Sequence, residues 1–565
     1  MSLNHLIKPP SNDPADSASL QQRKWQQIIG VAAICVLALV PAIAGADDTT
    51  DQERAMTSPG ETGALSNQPI DSMMSVQLAG LTGQRISLDE ARKLALENST
   101  TILSAQALVD QARGSTRRER GSFDPIFFAE LIRSRNNSPT SSPFAGAEAL
   151  DEKSTDLKTG IDWKLRFGTQ LELSLNSNGL ETNSDFTALN PQYTALGRLD
   201  VTQPLLAGSW KAASAPVTAA ERVEDAAEAR YRDAVLALIE TVDETYWDLY
   251  AAERDLAAIR ISLDQAETFL SETRARGEAG LIGPGDVANA TVFYSQQQQA
   301  ELDGQETLDR VSNRLFALIG YEVTGSQQRL RTTDSPEHRM NELESIDSLT
   351  SEALATNYAV KAAELELEAS KALTRGAAWD ILPQLDLIGS IGGNGLAGTA
   401  RDVVFGNDTL STTFGGPASD AFDQALKRDY PTWSVGLRIS IPIGMRSTRG
   451  ERDRLKASEA VAEQNVVAMR RSVKEQVRNA VLEYNNSERR LIAAERGVSA
   501  ARELVRIGDI NFRVGLITAF EVVRLNADLA SAQLRHSQAL VRAAKATAAL
   551  RRLTGDITEV ATISW

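Results

Sequence analysis

The chain has 565 residues, with 75 Asp and Glu against 59 Lys and Arg, a formal net charge of −16, and 5% aromatic residues. An acidic balance argues against a surface that wraps DNA or RNA, because neutralising phosphates needs an excess of Lys and Arg. Sparse aromatics fit helices lined with Ala, Leu and Val rather than a large aromatic core.

Residues 1–46 read as a signal peptide. Arg23 and Lys24 precede the apolar run Ile28 to Val40, Pro41 interrupts it, and Ala44-Gly45-Ala46 offers small residues for cleavage before Asp47. The run is too short to span a bilayer. Cys35, the only cysteine, lies inside it, so cleavage leaves a thiol-free mature chain with no disulfide and no cysteine metal site. No later run is long and apolar enough for a membrane helix. If the mature chain enters a membrane, it must do so as a β-barrel, the other structure that satisfies its own backbone in lipid.

Residues 47–85 are polar and aperiodic, as expected of a flexible leader. Ser87 with Glu90 has capping-box spacing and starts a helix carrying Leu88, Ala91, Ala95 and Leu96. The period then changes to two. Ile161, Trp163, Leu165 and Phe167 alternate with Asp162, Lys164 and Arg166; Gly168-Thr169 turns the chain; Leu171, Leu173 and Leu175 follow, a hairpin signal. Leu199 and Val201 alternate with polar residues before Pro204. From Ala215 to Gly280 the chain is helix-compatible, a length of about 100 Å. Gly280 supplies the left-handed residue that ends a helix, and apolar periodicity resumes at Val287. Residues 322–347 form a polar linker.

The second half repeats the first. A shift of 235 residues (515 − 280) carries Gly280-Leu281-Ile282 onto Gly515-Leu516-Ile517. It also carries the heptad series Val242, Leu249, Leu256, Leu263, Leu270 onto Val477, Tyr484, Leu491, Val498, Val505, the mark of a left-handed supercoiled seam. The first helix of the repeat recurs near Ser348, where a shift of 258 residues (383 − 125) places Pro125 on Pro383 and Ala95-Leu96 on Ala353-Leu354. The chain therefore divides into a first repeat at 86–321, the linker, a second repeat at 348–556 and a tail at 557–565.

In the second repeat, Trp433, Val435, Leu437, Ile439, Ile441 and Ile443 alternate with Ser434, Gly436, Arg438, Ser440 and Pro442. This pattern suits a barrel strand with lipid outside and water inside. Strands near 123–133, 161–167, 171–176, 197–205, 384–391 and 433–443 make six, or four if the middle hairpin stands outside the membrane. Neither number closes a barrel alone, so the chain has to oligomerise.

Few residues suggest chemistry. Gly393 to Gly398 matches G-x-G-x-x-G, but no helical face follows, and a mobile loop between strands is the expectation. His5, His338 and His536 have no ligand spacing. No nucleophile motif occurs, so the chain reads as a non-enzyme without cofactor or metal. Glu521, Arg524 and Asp528 share a helix face just beyond Gly515, with Asp286 the counterpart of Glu521. They form either a solvated salt-bridge row or, stacked by symmetry, charged rings at a pore mouth.

The duplicated helix–strands–long helix–tip–helix plan, Leu382-Pro383-Gln384-Leu385, Gln203-Pro204-Leu205-Leu206, and the tips Arg276 to Val287 and Asn511 to Val522 resemble the TolC-like outer-membrane efflux protein family. The resemblance covers about Ile86 to Gly555. It implies an α+β membrane protein: a homotrimer whose shared transmembrane β-barrel, in the Gram-negative outer membrane, joins a periplasmic α-helical coiled-coil tunnel. It also implies work in a tripartite efflux pump or type I secretion system, with a periplasmic adaptor (membrane fusion) protein and an inner-membrane transporter. The adaptor would meet the tips, here Ala279, Gly280, Leu281, Ile282 and Val514, Gly515, Leu516, Ile517. Some members carry two acidic residues three apart at the closed end; Arg524 stands at the second position here. The competing reading is a structural periplasmic coiled-coil adaptor without a barrel, which explains the heptads but not the apolar face from Trp433 to Ile443.

Overall fold

The computed structural model describes residues 70–141, 145–321, 329–336, 343–405, 408–514 and 516–554. The expected signal peptide, residues 47–69 of the leader, Gly515 and the tail lie outside the described residues. The first half runs α1 (Ile70–Ala79), β1 (Gln84–Ile86), α2 (Leu88–Asn98), α3 (Thr100–Gly121), β2 (Ile126–Pro139), β3 (Ala149–Lys164), β4 (Gln170–Thr182), β5 (Leu189–Pro204), the single turn α4 (Trp210–Ala213), α5 (Ala215–Glu278) and α6 (Pro284–Ile319). After β6 (Leu330–Thr332), the second half runs α7 (Ile346–Thr356), α8 (Tyr358–Asp380), β7 (Gln384–Ala400), β8 (Val403–Phe405), β9 (Asp408–Leu410), α9 (Ala418–Lys427), β10 (Tyr430–Ser440), α10 (Arg446–Arg513) and α11 (Ala519–Thr554).

The repeat extends to the caps. Ser87 and Ser345 are the N-caps of α2 and α7, and each hydroxyl accepts the N–H of the residue three further on, Glu90 and Ser348, at 3.2 Å. The second helix thus starts just before the expected Ser348, where the shift of 258 carries Ser87 onto Ser345. The seam expected from the heptads is dry: Val242, Leu249, Leu256, Val477 and Leu491 are fully buried, and Leu263 and Val505 are half-buried nearer the tips.

Residues 70–85, expected within a flexible leader, instead form α1 and most of β1, and β1 pairs in parallel with β6 from the linker. The signal was missed because these elements are held by long-range polar contacts. Tyr246, buried in the middle of α5, donates from its hydroxyl towards Asp334 Oδ2 (2.9 Å) and accepts the N–H groups of Thr333 and Asp334 (both 3.2 Å). Glu253, two turns on, accepts the N–H and hydroxyl of Thr332 at 2.9 and 3.0 Å. Arg92 of α2 forms a two-pronged pair with Asp243 at 2.7 Å. Burial pushes the Tyr246 phenol up to about 12, so it stays a neutral donor.

Six strands form one antiparallel sheet in the order β10-β7-β5-β4-β3-β2. The 161–176 hairpin lies inside it as β3 and β4, paired from Glu152–Thr182 to Lys164–Gln170. β10 ends at Ser440, so Ile441 and Ile443, expected on the strand, fall in the turn into α10, where Pro442 can donate no ladder hydrogen bond.

The glycine-rich stretch at 393–398 is a correction. It is not a loop but the upper part of β7, and α9 lies across it. A Cβ on Gly393 would run into the carbonyl oxygen of Ala425, and one on Gly395 into that of Ala421. Glycine is used here for close backbone approach. Ala421 and Ala425 of α9 complete the contact by packing on Ala195 and Ala397. Gly395→Val should therefore lift α9 from the sheet, at roughly 1–3 kcal/mol. Limited proteolysis should then cut between residues 411 and 430 in the variant while sparing the native protein.

Candidate functional site

The two faces of the sheet differ in chemistry. One ladder of directly paired residues crosses all six strands as Phe127, Ile161, Leu173, Leu199, Ile391 and Trp433. All six are exposed, Trp433 at 74%. The opposite face carries Glu130, Lys158, Asn176 and Asn394 on one ladder and Asp162, Glu172, Asp200, Ser390 and Ser434 on another. On this polar side a cleft of about 890 Å³ is lined by Glu130, Asp156, Lys158, Asn178, Thr194 and Tyr430 among others.

The apolar band is staggered. On β10 it runs from Trp433 towards the helices through Val435, Leu437 and Ile439, whereas on β2 it runs from Phe127 away from them to Leu131. A level band on tilted strands has this stagger. The outer edges of β2 and β10 have no strand partner among the described residues.

Below the sheet the two helix pairs touch along α5 and α11. Arg552 pairs with Glu240, Lys545 with Asp248 (2.6 Å) and Gln538 with Asp255 (3.5 Å), and the rings of Phe269 and Phe520 meet at 5.3 Å near the tips. Sequence reading missed this row because the partners lie almost 300 residues apart. Asp255 is the weak point. One carboxylate oxygen is buried without a partner, and burial pushes the acid up to about 6, opposed only by the Gln538 hydrogen bond.

The first tip ends in a Schellman turn. Gly280 has φ 71° as expected, and the N–H of Leu281 reaches Arg276 O at 2.9 Å; Leu516 N–H makes the same bond to Asn511 O at 2.8 Å. Leu281 and Leu516 are each 74% exposed, and Ala279 and Val514 are exposed beside them. Ile282 and Ile517 are half-buried and lie close to Gly277 and Gly508. No side chain is met around Gly280, so φ alone demands glycine there. Of the candidate charges, Asp286 caps α6 by accepting the Gly283 N–H (3.3 Å), Glu521 pairs with Arg524 (3.2 Å), and Asp528 is exposed. No group of three metal-ligating side chains converges among the described residues.

This architecture has known relatives. The family described as outer membrane efflux protein matches residues 91–321 and 349–556. Nodulation protein T of Rhizobium leguminosarum bv. trifolii is 24% identical over 366 residues, 64% of this chain and 72% of the relative. Outer membrane protein TolC of Vibrio cholerae serotype O1 is 24% identical over 342 residues, 60% of this chain and 72% of the relative. The solved outer-membrane channel OprN shares the fold at a TM-score of 0.59 and 18% identity, over 86% of this chain and 92% of that one.

Asp255 makes the helix seam sensitive to pH. Its folded-state pKa lies above the ordinary 3.8, so its contribution to stability is full below that value and is lost as pH rises through about 6. Asp255→Asn, which cannot ionise, should stabilise the protein at pH 7.5 by on the order of 1 kcal/mol. The gain in thermal unfolding temperature should shrink as pH is lowered to 5. An equal gain at both pH values would mean that Asp255 is neutral or solvated throughout.

Proposed function

Because this chain belongs to the outer membrane efflux protein family, we propose that it is the outer-membrane channel of a tripartite efflux pump or type I secretion system. Three copies would close one barrel by pairing β2 of each with β10 of the next, and the paired long helices would form the periplasmic tunnel. Repeats 86–321 and 348–556 would each contribute one helix pair to its wall. The observation that carries this reading is the single six-stranded sheet, apolar on one face, polar on the other and open at both edges. Open edges cannot face lipid. Three sheets of six strands would make 18, a size at which barrels enclose an aqueous channel. A periplasmic adaptor without a barrel has no use for such a sheet.

The adaptor would dock on the two tips, where Leu281, Val514 and Leu516 are the exposed apolar groups. Ile282 and Ile517 would instead stiffen the turns. Glu521, Arg524 and Asp528 would sit near the inner mouth, with the Glu521–Arg524 pair weakening any cation-attracting ring and Asp286 serving first as a cap.

Leu437→Arg should impair assembly by roughly 2–4 kcal/mol per chain if the residue lies at mid-bilayer. The measurement is the heat-modifiable oligomer band in outer-membrane fractions, and a normal band would exclude a lipid-facing β10. Leu516→Asp should abolish export from a strain lacking the native gene while leaving that band intact. Normal export would place the adaptor elsewhere, and loss of the band would give the tip a folding role instead.

A further inference from the structure

Helix α9 lies on the apolar face of the sheet, the face that the proposed channel turns to lipid, and the inference below rests on that reading. It sits above the band: Gly393, Gly395 and Ala397 beneath it continue β7 beyond Ile391. Trp433, exposed on this face beside its C-terminal end, is the kind of residue expected where a barrel band meets the outer headgroups. The end of α9 is therefore at headgroup depth.

Between that end and the band runs a groove of about 470 Å³. Its floor is the ladder Phe127, Ile161, Leu173, Leu199 and Ile391, and its upper rim is Ala425, Leu426 and Arg428. Leu426 is 70% exposed, an apolar residue pointing away from its own helix's contact with the sheet. Arg428 ends α9 in the left-handed conformation, with φ 59° and ψ 42°, where glycine or asparagine is usual. Its Nε donates to Gly392 O at 3.3 Å, which fixes the side chain at the rim. Among the described residues it has no ion-pair partner, whereas neighbouring Lys427 is neutralised by Asp423. Asp429 stands next in the chain, so the local field is weakly rather than strongly positive.

We propose that this groove binds one anionic lipid of the outer leaflet, its acyl chain on the apolar ladder and its phosphate on the Arg428 guanidinium. The chemistry fits each part. A continuous row of aliphatic and aromatic side chains accommodates a hydrocarbon chain, and a planar guanidinium offers paired N–H donors to phosphate oxygens. The groove is continuous with the lipid-facing band, so a lipid reaches it laterally without crossing polar surface.

The test is native mass spectrometry of the assembled channel in neutral detergent, titrated separately with phosphatidylglycerol and phosphatidylcholine of identical acyl chains. The wild type should bind the anionic lipid at least threefold more tightly. Arg428→Ala should abolish the preference, Arg428→Lys should retain most of it, and Leu426→Asp should weaken both lipids. Excess inorganic phosphate should not displace the bound lipid. Equal binding of the two lipids by the wild type, an unchanged preference in Arg428→Ala, or displacement by phosphate alone would overturn the proposal. If Arg428→Ala does not assemble, loss of binding in assembled Leu426→Asp decides in its place, and unchanged binding there also overturns it. Failure of the wild type itself to form an outer-membrane oligomer would instead remove the channel reading on which the site depends.

Discussion

An open sheet edge exposes a row of unpaired N–H and C=O groups, and this chain has two such edges, one on β2 and one on β10. In water those groups would be solvated; beside a face of Phe, Leu, Ile and Trp they ask for another strand. The connectivity serves that demand. Each half sends an even number of strands away from the helices and back, four in the first repeat and two in the second, so all the long helices leave the sheet on the same side.

The unequal strand numbers separate the two repeats more than their helices do. The helical parts correspond in sequence position down to the N-cap serines, and α6 and α11 begin and end at equivalent positions. The first repeat has gained a hairpin, whereas the second has gained α9, seated on glycines that leave no room for a side chain. Strand number sets barrel width, so the hairpin enlarges what three chains can enclose. The helix adds a surface feature on the lipid side.

Polar groups buried in the helical part are placed where the two halves and the linker have to be held together. Tyr246, Glu253 and Asp243 tie the β1–β6 pair and α2 to the middle of α5 with nearly every donor satisfied. Burial holds the Glu253 carboxyl above its usual range despite two hydrogen bonds from Thr332. The α5–α11 seam is looser, with a partnerless oxygen on Asp255.

Much of this protein was legible in the sequence, because periodicity and punctuation are local. Heptads marked the supercoiled seam, alternation marked the strands and their apolar face, and Gly280 marked a turn whose φ only glycine adopts easily. The 161–176 hairpin could be seen as a hairpin but not placed, since nothing local says which strands it joins. Only the tertiary structure put it within the sheet, ordered residues 70–85 against the linker, and turned a glycine run that looked like a loop into the bed of a helix. It alone brought Arg428 to the rim of an apolar groove and Asp255 to the seam. Each of these depends on what packs against a segment from far along the chain, and that contact, rather than the segment's own propensity, decided its conformation.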